Sequence, residues 1–459
     1  MNRRSFIRNT LITLPVLSST SSILSACEEN EININYDGKI IIIGAGASGL
    51  YAAHLLQKKG AKNIQILEAS LSYGGRIKTL SGFADFPVEL GAEEIHGNNN
   101  VFYRLAKNAG ATFTDESTSD YYFFKNSLKN EQQANSDNDF IAASNLLNNI
   151  ANYSGDDITV QQHINNIGIN AALQPYLNAQ IGNEYGTSNQ RLSMKGIAEA
   201  DNLWTAGDED YPIANKSVLS ILEQNFSTIL SKIKYDTAVK SIDYSSSKII
   251  LKDQNNIEYI ADKVIVTVPL SILKSNYIAF NPGLPDSKMT ALNKLGMDAG
   301  MKVILKFNNR FWANDLSSVF GTGAVPEYWN TALGRTNSNY SILTAFILGE
   351  KAETLTALTE TQIKNILLSD LDAIYGGTAA SSGFSAIHIQ DWTKEPFIKG
   401  AYSYPKVGYA GAREALAEKL GENLYFAGEA TAVNGHFATV HGALETAERS
   451  VNELIATIK

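Results

Sequence analysis

Cysteine is almost absent from this chain. Cys27 is the only one in 459 residues, which excludes an internal disulfide and leaves the fold to its apolar core. Long apolar runs are as scarce, and after residue 26 no segment is long and apolar enough to cross a bilayer as a helix. Internal repeats and low-complexity tracts are missing too, so neither a repeat array nor an unstructured tail accounts for the length. Histidines number six, and His436 and His441 lack a third ligand candidate nearby, which argues against a metal site. Charged residues make up 19% and hydrophobic residues 44%, the balance of an ordinary globular body. The formal net charge of −9 disfavours nucleic acid and anionic surfaces as partners and mildly favours cationic substrates.

What is present begins at residue 39. Ile40 to Ile43 is a β-branched run, as expected for a strand buried on both faces of a parallel sheet. Gly44, Gly46 and Gly49 follow in the spacing of a dinucleotide turn. Gly44 serves the tight turn, Gly46 the close approach of backbone to a pyrophosphate, and Gly49 the packing of the next helix on the strand. Ala47 and Ser48 open that helix, whose amides would face the phosphates. A second apolar strand, Asn63 to Leu67, ends at Glu68, a carboxylate placed for ribose hydroxyls. The pair Gly74-Gly75 with Arg76 then favours FAD over NAD, because a longer cofactor needs further backbone and a cation along its length. Gly428 and Glu429, in Phe426-Ala427-Gly428-Glu429-Ala430-Thr431, add a second strand-to-helix turn able to meet the pyrophosphate and ribityl chain.

The first 26 residues read as a signal peptide rather than fold. Arg3, Arg4 and Arg8 precede an apolar stretch that is interrupted by Ser and Thr and too short to anchor. Asn2 to Ile7 resembles a twin-arginine export signal, and Leu24-Ser25-Ala26-Cys27 resembles a bacterial lipobox; an ordinary secretory signal with two chance arginines is the alternative. Lipidation at Cys27 would anchor the protein at the periplasmic membrane or cell surface, with residues 27–37 as a tether reaching at most about 35 Å. A buried lone thiol is the plainer reading of Cys27. Loss of the signal would remove three arginines and take the charge from −9 to −12.

The body of about 430 residues exceeds one ordinary core, so two domains are expected. Segments 38–95, 213–272 and 400–459 carry the nucleotide-binding elements, including a strand-like run around Val239, a further cofactor-contact candidate. Segments 96–212 and 273–399 would form a mixed α+β substrate domain built from insertions. Within them, 114–170 reads as helices and long surface loops, 301–307 as a strand, and 355–374 as a helix. The expected class is α/β: a doubly wound, Rossmann-like FAD domain with a second domain across the carboxyl ends of its strands.

Taken with Glu89-Leu90-Gly91-Ala92, Val266-Thr267-Val268-Pro269-Leu270, Trp392, Gly400-Ala401-Tyr402-Ser403-Tyr404 and Ala438-Thr439-Val440-His441-Gly442-Ala443, these motifs resemble the flavin-containing amine oxidases. That family holds monoamine oxidases, polyamine oxidases and flavin histone demethylases, and the resemblance runs from about residue 38 to the C-terminus. It implies that Lys302 is the lysine linked through a water to the flavin, with Lys306 on the same strand face as its rival. It implies that Tyr402 lines the amine's path. The second aromatic-cage position falls on Thr439, and Thr439 and Val440 also border the cofactor. Ala401 stands where monoamine oxidases carry a flavin-linking cysteine, so FAD is expected without a covalent bond. Trp392 either packs near the flavin or is plain core. Glu93, Glu94 and His96 lie where a carboxylate or imidazole could hold a substrate ammonium, with Glu184 a further candidate; a solvated turn is the competing reading.

The implied reaction is oxidation of an amine's carbon–nitrogen bond to an imine, which water hydrolyses to a carbonyl compound and ammonia or a smaller amine. Oxygen or another acceptor would take the electrons. An amino acid oxidase is the rival enzyme, although it needs a cation where Glu93 and Glu94 offer the opposite charge. A non-catalytic FAD-binding lipoprotein is the rival of another class.

Overall fold

A computed structural model describes residues 34–114, 118–335 and 340–458. Cys27 and the whole signal-like segment lie outside them. Among the described residues, no helix is long and apolar enough to cross a membrane.

Five parallel strands form one sheet in the order Leu424–Phe426, Lys263–Val266, Lys39–Ile43, Asn63–Leu67, Ile233–Lys234. Successive side chains of a strand point to opposite faces, and that alternation divides the core. Ile40 and Ile42 pack with the Ala47–Lys58, Val101–Asn108, Val218–Leu230 and Val440–Ile455 helices. Ile41 and Ile43 face Leu251, Leu273, Leu292 and Leu416 on the other side. With both faces covered, the isoleucine run is a buried central strand rather than an amphipathic edge.

Two domain boundaries differ from the sequence expectation. Val101–Asn108 buries Phe102 and Ala106 against the nucleotide-binding sheet. Ala279–Asn281 pairs in parallel with Val239–Asp243, adding a strand to the small sheet that covers the opposite face. The chain therefore leaves this domain later than residues 96 and 272, because main-chain pairing and core burial continue past both points.

A second, seven-stranded sheet runs Phe384–Asp391, Gly300–Phe307, Ser341–Leu348, Glu327–Asn330, Leu316–Phe320, Ser119–Phe124, Ser127–Asn130. Its last two strands correct the expectation of helices and loops over 114–170. Lys125 and Asn126 both have positive φ (53° and 57°), making the two-residue turn whose twist suits a hairpin. The helical part of that expectation is met by Asn138–Asn148 and Val160–Asn166, which pack beside Tyr122 and Phe124.

Candidate active site

The two sheets enclose a cavity of about 820 Å³. Its nucleotide side is built from residues at or just past the carboxyl ends of the parallel strands: Ile43 and Gly44, Leu67 and Glu68, Thr267, and Gly428. Gly49 sits where any Cβ would fall 2.0 Å from the Gly44 carbonyl oxygen, so the helix packs directly on the turn. A Cβ on Gly46 would meet nothing nearer than the Gly74 carbonyl at 3.9 Å, leaving backbone open toward the cavity. Among the described residues, no side chain caps this helix end, and the buried Ser48 hydroxyl, also in the cavity wall, finds no partner. An uncapped helix N-terminus with an orphaned hydroxyl is what a phosphate would satisfy.

Glu68 closes the turn from the other side. Its Oε2 accepts from the Ala45 amide (2.6 Å) and Oε1 from the Ser70 amide and hydroxyl (2.8 and 2.7 Å). Gly75, Val239 and Val440 line the same cavity, Val440 as the first residue of the last helix. Two of the expected cofactor contacts are bound first to each other. Arg76 donates to Glu429 at 2.9 Å, and the buried Glu429 carboxylate also accepts from the Ser403 hydroxyl (2.6 Å) and the Ala438 amide (3.0 Å). Burial alone would raise this carboxyl, but the Arg76 and Arg413 charges and the Ser403 hydroxyl hold it below the usual range. Glu429 braces the two halves of the cavity rather than reaching into it with a free carboxylate.

On the opposite wall stands Lys302, 4% exposed, on the Gly300–Phe307 strand. Its ammonium donates to the Gly91 carbonyl (2.8 Å) and the Glu93 carboxylate (2.7 Å), with the Glu89 carbonyl at 3.4 Å. It lies 4.7 Å from the centre of the Trp329 ring. Lys306 is turned to the Phe83 carbonyl and the Tyr340 ring, outside the cavity lining. The Trp392 indole donates to the Leu90 carbonyl (2.9 Å), holding the loop whose next carbonyl receives Lys302.

Glu93 corrects its expected role. Its carboxylate is committed to Lys302 and is not free for a substrate ammonium. Thr439 lines the same cavity. Its hydroxyl accepts the Gly442 amide and donates to the His436 carbonyl, capping the last helix, so it contributes a wall and not a reactive group. Tyr402 is at the cavity surface, its hydroxyl donating to the Glu184 carbonyl (2.7 Å). Glu184 and Glu94 also line the cavity. His96 pairs through Nδ1 with Asp210 (2.7 Å), and ligand atoms of Glu94, His96 and Asp210 lie within 4.8 Å of one another. Asp210, Trp329 and Phe346 were not legible as site residues, since each reaches the site only through strand pairing of distant segments.

Glu89, below Lys302, is pushed up to about 7 by burial, despite the Val218 amide bond, with the nearby Glu93 charge adding to the rise. A folded-state value above the ordinary carboxylate range gives stability that is present at low pH and lost as pH rises through about 7. Glu89→Gln should therefore lose less melting temperature than the parent as pH rises from about 4.5 to about 7. Equal slopes in the two proteins would exclude Glu89 as the source.

A model of the flavin containing amine oxidoreductase family matches residues 47–206 and 215–455, most of the chain and both walls of this cavity. The chain belongs to that family. It has the two-domain FAD-binding fold of that family. A lysine-specific histone demethylase 1 homolog 3 of Arabidopsis thaliana is 25% identical over 98% of this chain and 32% of its own length. Probable polyamine oxidase 4 of the same plant is 27% identical over 89% of this chain and 85% of its own. The chain spans between about a quarter and just over half of the length of the demethylases it matches. Among solved structures, cyclohexylamine oxidase from Brevibacterium oxydans superposes with a TM-score of 0.78 at 20% identity, covering 92% of this chain and 99% of that one. The family's cofactor suits the cavity: the orphaned Ser48 hydroxyl and open Gly46 backbone await an anion, and the described residues contain no cysteine to form a thioether with it.

Proposed function

We propose that the protein oxidises the carbon–nitrogen bond of a primary or secondary amine carrying a second ammonium group, as a polyamine does. The imine is hydrolysed to an aldehyde and ammonia or a smaller amine, and oxygen is reduced to hydrogen peroxide. Bound FAD would supply the hydride acceptor. Trp329, Phe346, Met301 and Leu348 give the cavity an apolar wall that excludes water from the reacting carbon. Tyr402, tethered to the Glu184 carbonyl, presents a fixed ring beside it. Glu94, Glu184 and His96, the last oriented by Asp210, would hold the distal ammonium by charge-assisted hydrogen bonds.

The pairing of the cavity's cations carries this reading. Arg76, Lys78 and Lys302 line it, and each is matched by a carboxylate: Glu429, Glu395 and Glu93. An amino acid's carboxylate would have to displace one of these, whereas an ammonium meets acidic groups on the same wall. The test is anaerobic bleaching of the bound flavin by a panel of monoamines, polyamines, amino acids and N-methylated amines. Polyamines should bleach it fastest. Bleaching by amino acids alone would overturn the substrate class, and no bleaching by any amine would favour a non-catalytic flavoprotein.

Export and lipid anchoring at Cys27 complete the proposal, on the strength of the twin-arginine-like start and the Leu-Ser-Ala-Cys motif. Cys27→Ser should move the protein from the membrane to the soluble fraction of fractionated cells. Unchanged membrane association would reject the anchor.

A further inference from the structure

We infer that Glu93 is a positioning residue that sets the charge felt by the flavin, acting through its buried ion pair with Lys302. The inference rests on the reading that Lys302 faces the flavin.

Four charged side chains share this wall. Lys302 is 5% exposed as a side chain and meets Glu93 at 2.7 Å, while Glu93 itself is only 21% exposed. Glu89 lies beneath with its carboxylate accepting from the Val218 amide (2.8 Å) and the Thr79 hydroxyl (3.0 Å). Arg335, whose guanidinium donates to the Ala214 carbonyl and stacks 5.0 Å from the Phe86 ring, is the other cation that acts on both carboxylates. Lys302's remaining acceptors are neutral carbonyls, at Gly91 and Glu89. Among the described residues, Glu93 is therefore the one carboxylate that pairs directly with Lys302, and it does so from the cavity surface itself.

Two consequences follow from Coulomb's law in a water-poor wall. The ammonium is aimed along the Gly91–Glu93 loop and cannot swing freely into the cavity. Its positive charge is also largely balanced, so it stabilises added negative charge on a neighbouring ring less than a lone cation would. Removing the carboxylate while keeping its shape should then favour the reduced flavin.

The experiment is a potentiometric titration of the flavin-loaded protein against redox dyes, in the parent, Glu93→Gln, Glu93→Asp, Lys302→Met and the Glu93→Gln/Lys302→Met double variant. E93Q should raise the reduced-to-oxidised ratio at fixed potential about tenfold, or about 30 mV for a two-electron couple. E93D, which restores the charge, should return most of that shift. A carboxylate left without its cation in such a wall takes up a proton rather than staying charged, so E93Q should have little effect in the K302M background. An E93Q shift of equal size in both backgrounds would overturn the inference, since Glu93 would then act on the flavin directly. A shift in K302M with none in E93Q would also overturn it while leaving the Lys302 reading intact. No shift in either would refute the Lys302 reading itself. Glu93→Ser carries the same expectation as E93Q should the glutamine variant not hold flavin.

Discussion

Lys302→Met should keep the yellow, flavin-loaded protein intact and slow turnover or flavin reoxidation by more than about tenfold. Methionine matches the length and apolar stem of lysine, so the strand and its packing against Trp329 and Phe346 survive. The ammonium is lost from a wall where electrostatic interactions are strong, and only groups that stabilise the developing charge affect the chemical step. Lys306→Met is the internal control. Its ammonium serves the Phe83 carbonyl and lies outside the cavity lining, so stopped-flow traces of that variant should match the parent's. A loss in Lys306→Met equal to or larger than that in Lys302→Met would transfer the role to the second lysine.

Glu429→Ala should lower folding stability by about 3–5 kcal/mol, the usual effect of breaking a buried ion pair from one side. Arg76 would lose its carboxylate, and the buried Arg413 guanidinium would lose an opposing charge, as burial already pulls its value down to about 10. The Ser403 hydroxyl and Ala438 amide would also lose their shared acceptor. The sign of the pH effect is fixed by the direction of the Glu429 shift. A folded value below the unfolded one gives stability that is present above the ordinary carboxylate range and lost as pH falls through the folded value. Urea denaturation of the flavin-loaded protein should thus show its largest parent-to-variant difference near neutral pH, narrowing in acid. A difference below about 1 kcal/mol at neutral pH would show that Arg76 finds another partner.

How much of this was legible depends on how local each determinant is. The Ile40–Ile43 strand, the glycine turn and the helix after it are specified within a few neighbouring residues. So are the strand ending at Leu67 and the final helix from Val440. The strands Ser119–Phe124 and Ser127–Asn130 were not, because their polar and aromatic residues alternate weakly. The first becomes a strand by pairing with Leu316–Phe320, nearly 200 residues away, and the second by pairing with the first. Lys302 and Tyr402 could be picked out by position in a motif. What each one touches could not.

Glu93 and Thr439 mark that limit most clearly. In sequence Glu93 is one of two adjacent acids, and nothing local distinguishes it from Glu94. The Gly300–Phe307 strand brings Lys302 to the first of them, while the pairing of Glu94–His96 with Asp210–Pro212 places the second beside His96 and Asp210. Thr439 reads as a cage residue by position, yet the turn before the last helix takes its hydroxyl as a cap. The sequence by itself determined the nucleotide turn, the cofactor and the family, because backbone conformation and phosphate binding depend on short, contiguous patterns. Only the tertiary structure decided which charges pair with which, since ion pairs form between side chains that meet across sheets far apart in the chain.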